Sequence, residues 1–69
     1  MSAEEQIDGL KKVAMRAVDS DGRKKVIDTL ATYGEKAVPA ITEIINDALS
    51  TDIKEYGLAT INKIKSAKS

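Results

Sequence analysis

The stretch Asp19 to Gly22 reads DSDG and carries two carboxylates at the spacing that a cation-binding loop uses. Hard cations such as Ca²⁺ are bound by carboxylate oxygens on alternate residues of a tight turn. A calcium loop also needs glycine at its sixth position and glutamate at its twelfth. Here the glycine is fourth, and the twelfth residue from Asp19 is Leu30. The stretch therefore predicts a capped corner between two helices and no metal site.

A second set of side chains could bind phosphate groups. It consists of basic residues in the first third of the chain: Lys11, Lys12, Arg23, Lys24 and Lys25. Nucleic-acid surfaces of single-strand type interleave such bases with aromatic residues that stack on nucleotides, and no aromatic residue lies among these bases. Several acids are nearby, so a solvated helix face is the simpler interpretation, and nucleic-acid association is the weaker alternative.

Catalytic chemistry has few candidates in this chain. Glu43 and Asp47 stand four residues apart, as paired carboxylates would on one helix face, but general acid and base catalysis also needs a cleft. The chain contains no histidine and no cysteine, which removes the commonest general base, the commonest metal ligand and all thiolate chemistry. We therefore expect a protein that is not an enzyme and that needs no cofactor.

Length and charge narrow the class of protein further. Sixty-nine residues form at most one domain, which buries only about 60% of the surface of its unfolded chain. Eleven basic and eleven acidic side chains cancel, so no net charge favours nucleic acid or an anionic membrane. No apolar run is long enough to span a bilayer, and residues 1–6 lack the apolar segment of a signal peptide. The sequence is typical of a soluble, cytoplasmic protein that does not bind membranes.

Apolar residues recur at helical spacing in four segments, which predicts an all-α domain over residues 1–69 with helices at about 3–18, 22–33, 36–49 and 52–65. Ser2 with Glu5 forms a capping-box pattern, and either Ser20 or Asp21 could cap the second helix. Gly34 is expected to end that helix in a left-handed conformation, and Pro39 to open the third. Thr51 or Asp52 would cap the fourth helix.

The apolar positions define the expected core. They are Ile7, Leu10, Ala14, Ala17 and Val18 in the first helix; Val26, Ile27, Leu30, Ala31 and Tyr33 in the second; Ala37, Val38, Ile41, Ile44, Ile45, Ala48 and Leu49 in the third; and Ile53, Tyr56, Gly57, Thr60, Ile61 and Ile64 in the fourth. Gly57 costs about 1 kcal/mol relative to alanine inside a helix. Its presence therefore predicts close approach of a neighbouring helix, and Gly9 predicts the same more weakly.

The residues around the third helix carry a family resemblance. Gly34, Ala37, Val38, Pro39 and Ile41 match the G-x-x-A-V-P-x-L segment that opens a HEAT repeat of the short, bilin-lyase-related type, and Asp52-Ile53-Lys54 match the acidic corner and apolar-basic pair that follow it. The stretch 21–64 resembles such repeats well and residues 1–20 only weakly; Lys54 replaces the usual arginine. The resemblance implies two stacked antiparallel helical hairpins in a minimal right-handed solenoid, acting as a protein-binding scaffold. Whether the first two helices form a true repeat or a cap stays open.

Apolar residues that lie outside the expected core face of each helix suggest where a partner would bind. At 100° per residue, Met15 lies about 80° from Ile7, and Leu58 about 140° from Ile53. Single exposed apolar residues are common, so a plain solvated surface is the alternative. We expect the partner surface to lie on the fourth helix around Leu58, with Ala59 and the aliphatic stems of Lys54 and Lys65, and to include Met15. The expected partner is another protein or a second copy of the chain.

Overall fold

The computed structural model describes residues 2–17 and 19–67. Within them the chain forms four α-helices, α1 (Ala3–Arg16), α2 (Ser20–Ala31), α3 (Val38–Asp47) and α4 (Thr51–Ala67), and one turn of 3₁₀ helix, Gly34–Ala37, before α3. No strand occurs in these ranges, so the predicted all-α fold is confirmed.

The helix starts follow from local side-chain hydrogen bonds. The Ser2 hydroxyl accepts from the Glu5 amide at 3.2 Å, which is one half of the predicted capping box. The Glu5 carboxylate accepts from the Ser2 hydroxyl at 3.2 Å, whereas a complete box would have it accept from the Ser2 backbone amide. The prediction for α2 was wrong by one or two residues, because the Asp19 carboxylate accepts from the Gly22 amide at 3.1 Å and is the cap. Helix α1 ends at Arg16, and the expected last residue, Val18, lies outside the described residues.

The connection between α2 and α3 has the expected glycine and proline, with a turn between them. Gly34 adopts φ 72°, the left-handed conformation predicted for the end of α2. Helix α2 itself ends two residues earlier than expected, at Ala31. Residues 36 and 37, predicted as the start of the third helix, belong to the 3₁₀ turn, and Pro39 lies in the first turn of α3.

The last two helices also have different ends from those predicted. Helix α3 ends at Asp47, where Ala48 takes an extended conformation. Leu49 was predicted to belong to the inner stripe of this helix, which is wrong, because the chain has already left the helix and the side chain is 100% exposed. Thr51 and Asp52, predicted as caps, lie in the first turn of α4, which continues to Ala67.

The four helices enclose an aliphatic core. Helix α1 packs against α2 and α3, α4 packs against the same two helices, and α2 and α3 touch less extensively. The buried apolar residues are Ile7, Ala14, Val26, Ile27, Leu30, Ala37, Ala40, Ile41, Ile44, Ile45, Ala48, Ile53 and Ile61. The described part of the molecule measures 32 × 27 × 16 Å, so its core is a single thin layer.

The two glycines at which the sequence predicted close approach of a neighbouring helix behave differently. A Cβ atom on Gly57 would lie 2.1 Å from Ile45 Cγ2, so α3 and α4 approach closely at Gly57, as predicted. A Cβ atom on Gly9 would have no neighbour within 4 Å, so the expected close approach at Gly9 was wrong. Gly9 is exposed, on the outer side of α1.

Candidate protein-binding groove

An open groove of about 610 Å³ runs between α2 and α4 and ends at the 3₁₀ turn. Most of its walls are small or apolar, because alanines and a glycine stand where larger side chains would fill the space between the two helices. The lining residues are Asp28, Ala31, Gly34, Glu35, Tyr56, Ala59, Thr60, Lys63, Ile64 and Ala67. We refer to these ten residues as the α2–α4 groove.

Tyr56 forms a fixed aromatic wall at one end of the groove. Its hydroxyl donates a hydrogen bond to the Asp28 carboxylate, which links α4 to α2. That hydrogen bond, with a smaller contribution from burial, raises the pKa of Tyr56 above its ordinary value. The Lys24 ammonium lies 5.7 Å from the centre of the ring, within the range of a cation–π contact. Tyr56 is therefore held by both neighbours on α2.

The two long edges of the groove carry opposite charges. Asp28 on α2 and Glu35 on the 3₁₀ turn line one side, and Lys63 on α4 lines the other. Glu35 and Lys63 are both exposed. An apolar floor between charged edges resembles the core and rim of a protein–protein interface.

Only part of the sequence-predicted surface lies in this groove. Ala59 lines it, whereas Leu58 and Lys54 are exposed outside it, and Leu58 is 53% exposed. Met15 is partly buried and packs against the core, so it contributes little to an exposed surface. Lys54 and Leu58 therefore lie one turn apart on α4 outside the groove, Ala59 lines the groove, and Met15 lies on α1.

The sequence analysis also missed several residues that the structure exposes or brings together. Ala31 and Tyr56 were assigned to the core, and Ala67 was placed beyond the last helix, yet all three line the groove. A usable signal was present, because Ala59, Lys63 and Ala67 recur every four residues on one flank of α4. Val13, which the apolar stripe did not include, is 56% exposed on α1.

A second, smaller cleft of about 460 Å³ lies where the corner before α2 meets the corner before α4. The exposed Leu49 lines it, beside an ion pair of 3.6 Å between Arg23 and Asp47. The Arg23 guanidinium also donates to the Ala17 carbonyl at 3.5 Å. These contacts connect the two corners and give this cleft a structural role.

The candidate phosphate-binding residues are mostly engaged within the chain. Lys11 contacts Glu43 at 3.0 Å and Asp8 at 3.5 Å, and Lys12 contacts Asp8 at 3.2 Å. The hydrogen bond to Glu43 raises the pKa of Lys11, and the hydrogen bond from Lys12 lowers the pKa of Asp8. Each of these lysines therefore has a negative partner in its own chain.

The other three candidate phosphate-binding residues differ in their contacts. Arg23 pairs with Asp47, Lys24 lies over Tyr56, and Lys25 is exposed with no ion pair to another described residue. Glu43 and Asp47, the candidate carboxylate pair, contact different cations, Lys11 and Arg23. Residues 2–17 and 19–67 contain no group of three or more side chains that could hold a metal ion.

Comparison with known proteins adds no relative: no family model matches the chain, and no curated protein or solved structure is significantly similar to it. None of the described helices is both long and apolar enough to cross a lipid bilayer.

Proposed function

We propose that this chain is a non-enzymatic protein-binding module and that the α2–α4 groove is its binding surface. The observation that carries the proposal is the open groove of about 610 Å³, with an apolar floor and charged edges, on a very small domain. Contiguous exposed apolar surface rimmed by polar residues marks interaction sites in soluble proteins.

The groove has the properties that a helical partner requires. Its small side chains, among them Ala31, Ala59 and Ala67, let another backbone approach closely. Amphipathic helices bind in such grooves through apolar residues three and four positions apart. Because Tyr56 is hydrogen-bonded to Asp28, a bound side chain would meet a wall that is already ordered.

The helix packing supports a HEAT-like arrangement for this module. Two stacked hairpins place α1 against α2, α3 against α4, α1 against α3 and α2 against α4, and these are the extensive contacts here. A simple up-and-down bundle would instead place α2 firmly against α3 and α4 against α1. On this proposal the chain is a minimal right-handed solenoid, and the groove lies between the second helices of its two hairpins.

Nucleic-acid association is the weaker proposal on the same observations. Lys11, Lys12 and Arg23 neutralise acids of their own chain, so binding phosphates would first require these pairs to open. Lys24 and Lys25 form no ion pair with a described residue, and the Lys24 ammonium lies over the Tyr56 ring.

Photocrosslinking tests the proposed surface in the native cell. Benzoylphenylalanine placed at position 59 reports on the groove, and the same residue at position 62 is the control, because Asn62 is exposed on α4 but does not line the groove. We expect discrete protein adducts from position 59 and none of the same adducts from position 62. Equal adduct patterns from both positions, or no adduct from position 59, would contradict the proposal.

A further inference from the structure

We propose that α1 is a releasable helix: it separates from its neighbours and unfolds as a unit while α2, α3 and α4 stay folded. This opening does not depend on what the α2–α4 groove binds, because α1 contributes none of the ten groove residues. The opening is a conformational change built into the fold, and three features of α1 make it the first helix to leave.

Helix α1 is anchored by less buried apolar surface than the other helices. From α1 only Ile7 and Ala14 are buried, and Leu10 and Met15 are partly buried against the core. In the described residues, the large side chains that are almost wholly buried all lie on α2, α3 and α4: Ile27, Leu30, Ile41, Ile44 and Ile53. Because the free energy of burial is roughly proportional to the apolar area removed from water, α1 is the least costly helix to undock.

The polar contacts between α1 and the rest of the chain are exposed. The Lys11 ammonium contacts the Glu43 carboxylate on α3 at 3.0 Å, and the Tyr33 hydroxyl donates to the Gln6 side-chain oxygen at 2.6 Å. In contact with solvent, one such ion pair or hydrogen bond favours docking by only about two- to tenfold. These contacts orient α1 but do not prevent its release.

Gly9 weakens α1 from within. It lies in the middle of the helix, it is exposed, and nothing lies within 4 Å of the position that a Cβ atom would take. An interior glycine lowers the helix-forming equilibrium about fivefold relative to alanine, which corresponds to about 1 kcal/mol. Because α1 has 14 residues, it is also too short to remain helical once it has left its neighbours.

Release of α1 changes which apolar surface the chain presents. Helix α1 packs against α2 and α3, so its departure exposes the parts of these two helices that it covers. The groove stays formed, because its walls come from α2, α4 and the 3₁₀ turn. The open form therefore carries a second apolar surface, on α2 and α3, that the closed form hides.

Native-state amide hydrogen exchange, followed by NMR in increasing sub-denaturing urea, tests the release. We expect the amides of residues 7–16 to share one opening constant that rises with urea, because a whole helix becomes exposed. This constant should exceed those of Ile44 in α3 and Ile61 in α4 by about tenfold or more, since these two amides require global unfolding.

Two glycine variants separate the release of α1 from global unfolding. Gly9→Ala should lower the opening constant of α1 about fivefold. Gly57→Ala should leave that constant unchanged, because the contact between Gly57 and Ile45 is present in both the closed and the open form. The same variant should raise the opening constants of Ile44 and Ile61, which report the loss of this contact.

Two carboxylates on α3 provide a matched pair for the contact with α1. Glu43→Gln removes the charge that Lys11 contacts and should raise the opening constant of α1 about two- to fivefold. Asp47→Asn removes the charge that Arg23 on α2 contacts and should leave that constant unchanged. Both carboxylates are exposed, so both variants should fold, which circular dichroism verifies.

Three results would overturn the release of α1. One is an opening constant for residues 7–16 equal to those of Ile44 and Ile61. Another is a Gly57→Ala variant in which the constants of α1 rise together with those of Ile44 and Ile61. The third is exchange in α1 that does not change with urea, since it would show local fluctuations of single amides and no release of the whole helix.

Discussion

Gly57 lies in the middle of α4, where the helix passes closest to α3, and its replacement by alanine is a sharp test of the packing. The added Cβ would lie 2.1 Å from Ile45 Cγ2 and 3.5 Å from Ile41 Cγ2. Ile45 cannot easily move this methyl group away, because a β-branched side chain in a helix has one strongly preferred χ1 rotamer. Ile45 is also only 6% exposed, so the groups around it leave little space.

Two opposing effects determine how much Gly57→Ala changes the free energy of unfolding. Replacing an interior glycine by alanine stabilises a helix by about 1 kcal/mol. Forcing an extra carbon into a packed core costs about 1 to 3 kcal/mol. We therefore expect Gly57→Ala to lower the free energy of unfolding by about 1 kcal/mol, and Gly57→Leu to lower it further.

Gly9 offers a matched control within the same molecule. A Cβ atom there has no neighbour within 4 Å, so Gly9→Ala should gain the helix-propensity term alone and stabilise the protein by about 1 kcal/mol. The two chemically identical changes should then differ by about 2 kcal/mol, which corresponds to roughly 8–16 °C in Tm for a domain of this size. Thermal and urea unfolding followed by circular dichroism measures both.

A second substitution tests whether the Ile45 Cγ2 methyl causes the loss of stability in Gly57→Ala. Ile45→Leu removes the Cγ2 methyl at nearly constant side-chain volume, so the double variant Gly57→Ala/Ile45→Leu should recover much of the loss, a coupling that a double-mutant cycle detects. If Gly57→Ala stabilises the protein as much as Gly9→Ala does, the inferred contact between α3 and α4 is wrong.

Three further predictions concern the corner, the groove and the predicted surface. Gly34→Ala should lower the unfolding free energy by about 1 kcal/mol in urea titrations, because φ 72° is strained for a residue with a Cβ atom; an unchanged value would argue against this turn. The raised pKa of Tyr56 means that folding favours the protonated phenol, so its contribution is full below about pH 10 and is lost as the pH rises through the raised pKa. Tyr56→Phe should therefore flatten part of the alkaline loss of stability, while Lys11, whose pKa is also raised, accounts for another part; an identical pH profile would contradict the Tyr56 assignment. Leu58→Asp should leave the fold intact, since Leu58 is 53% exposed, and should weaken partner capture only if the surface predicted from sequence is used.

Much of the fold could be predicted because its signals are local. Gly34 and Pro39 mark a corner by their own backbone restrictions, and the interior Gly57 signals a close neighbour through its cost to the helix. The same reasoning fails at Gly9, where the glycine is exposed and no packing contact compensates for it. Helix ends shifted by one or two residues because a cap depends on which side chain reaches the free amides, as Asp19 does here.

The candidate groove could not be predicted from the spacing of apolar residues along each helix alone. Its shape depends on the distance between α2 and α4 along the length that includes the small residues Ala31, Ala59 and Ala67, and this distance is set by tertiary packing. Leu58 and Ala59 are sequence neighbours, but about 100° of helical rotation places them on different surfaces. A search for exposed apolar residues therefore favours Leu58, while the groove is built by small residues that such a search ignores.

Chemical-shift mapping tests the proposal that the α2–α4 groove binds protein. The ¹⁵N-labelled chain would be titrated with a peptide selected from a displayed library for binding to the wild type, with no selection for a particular surface. We predict that the perturbed amides cluster at Ala31, Gly34, Thr60 and Ala67, which line the groove from both sides. Perturbations that cluster instead around Leu58, or around Leu49 in the second cleft, would show that the peptide binds outside the groove.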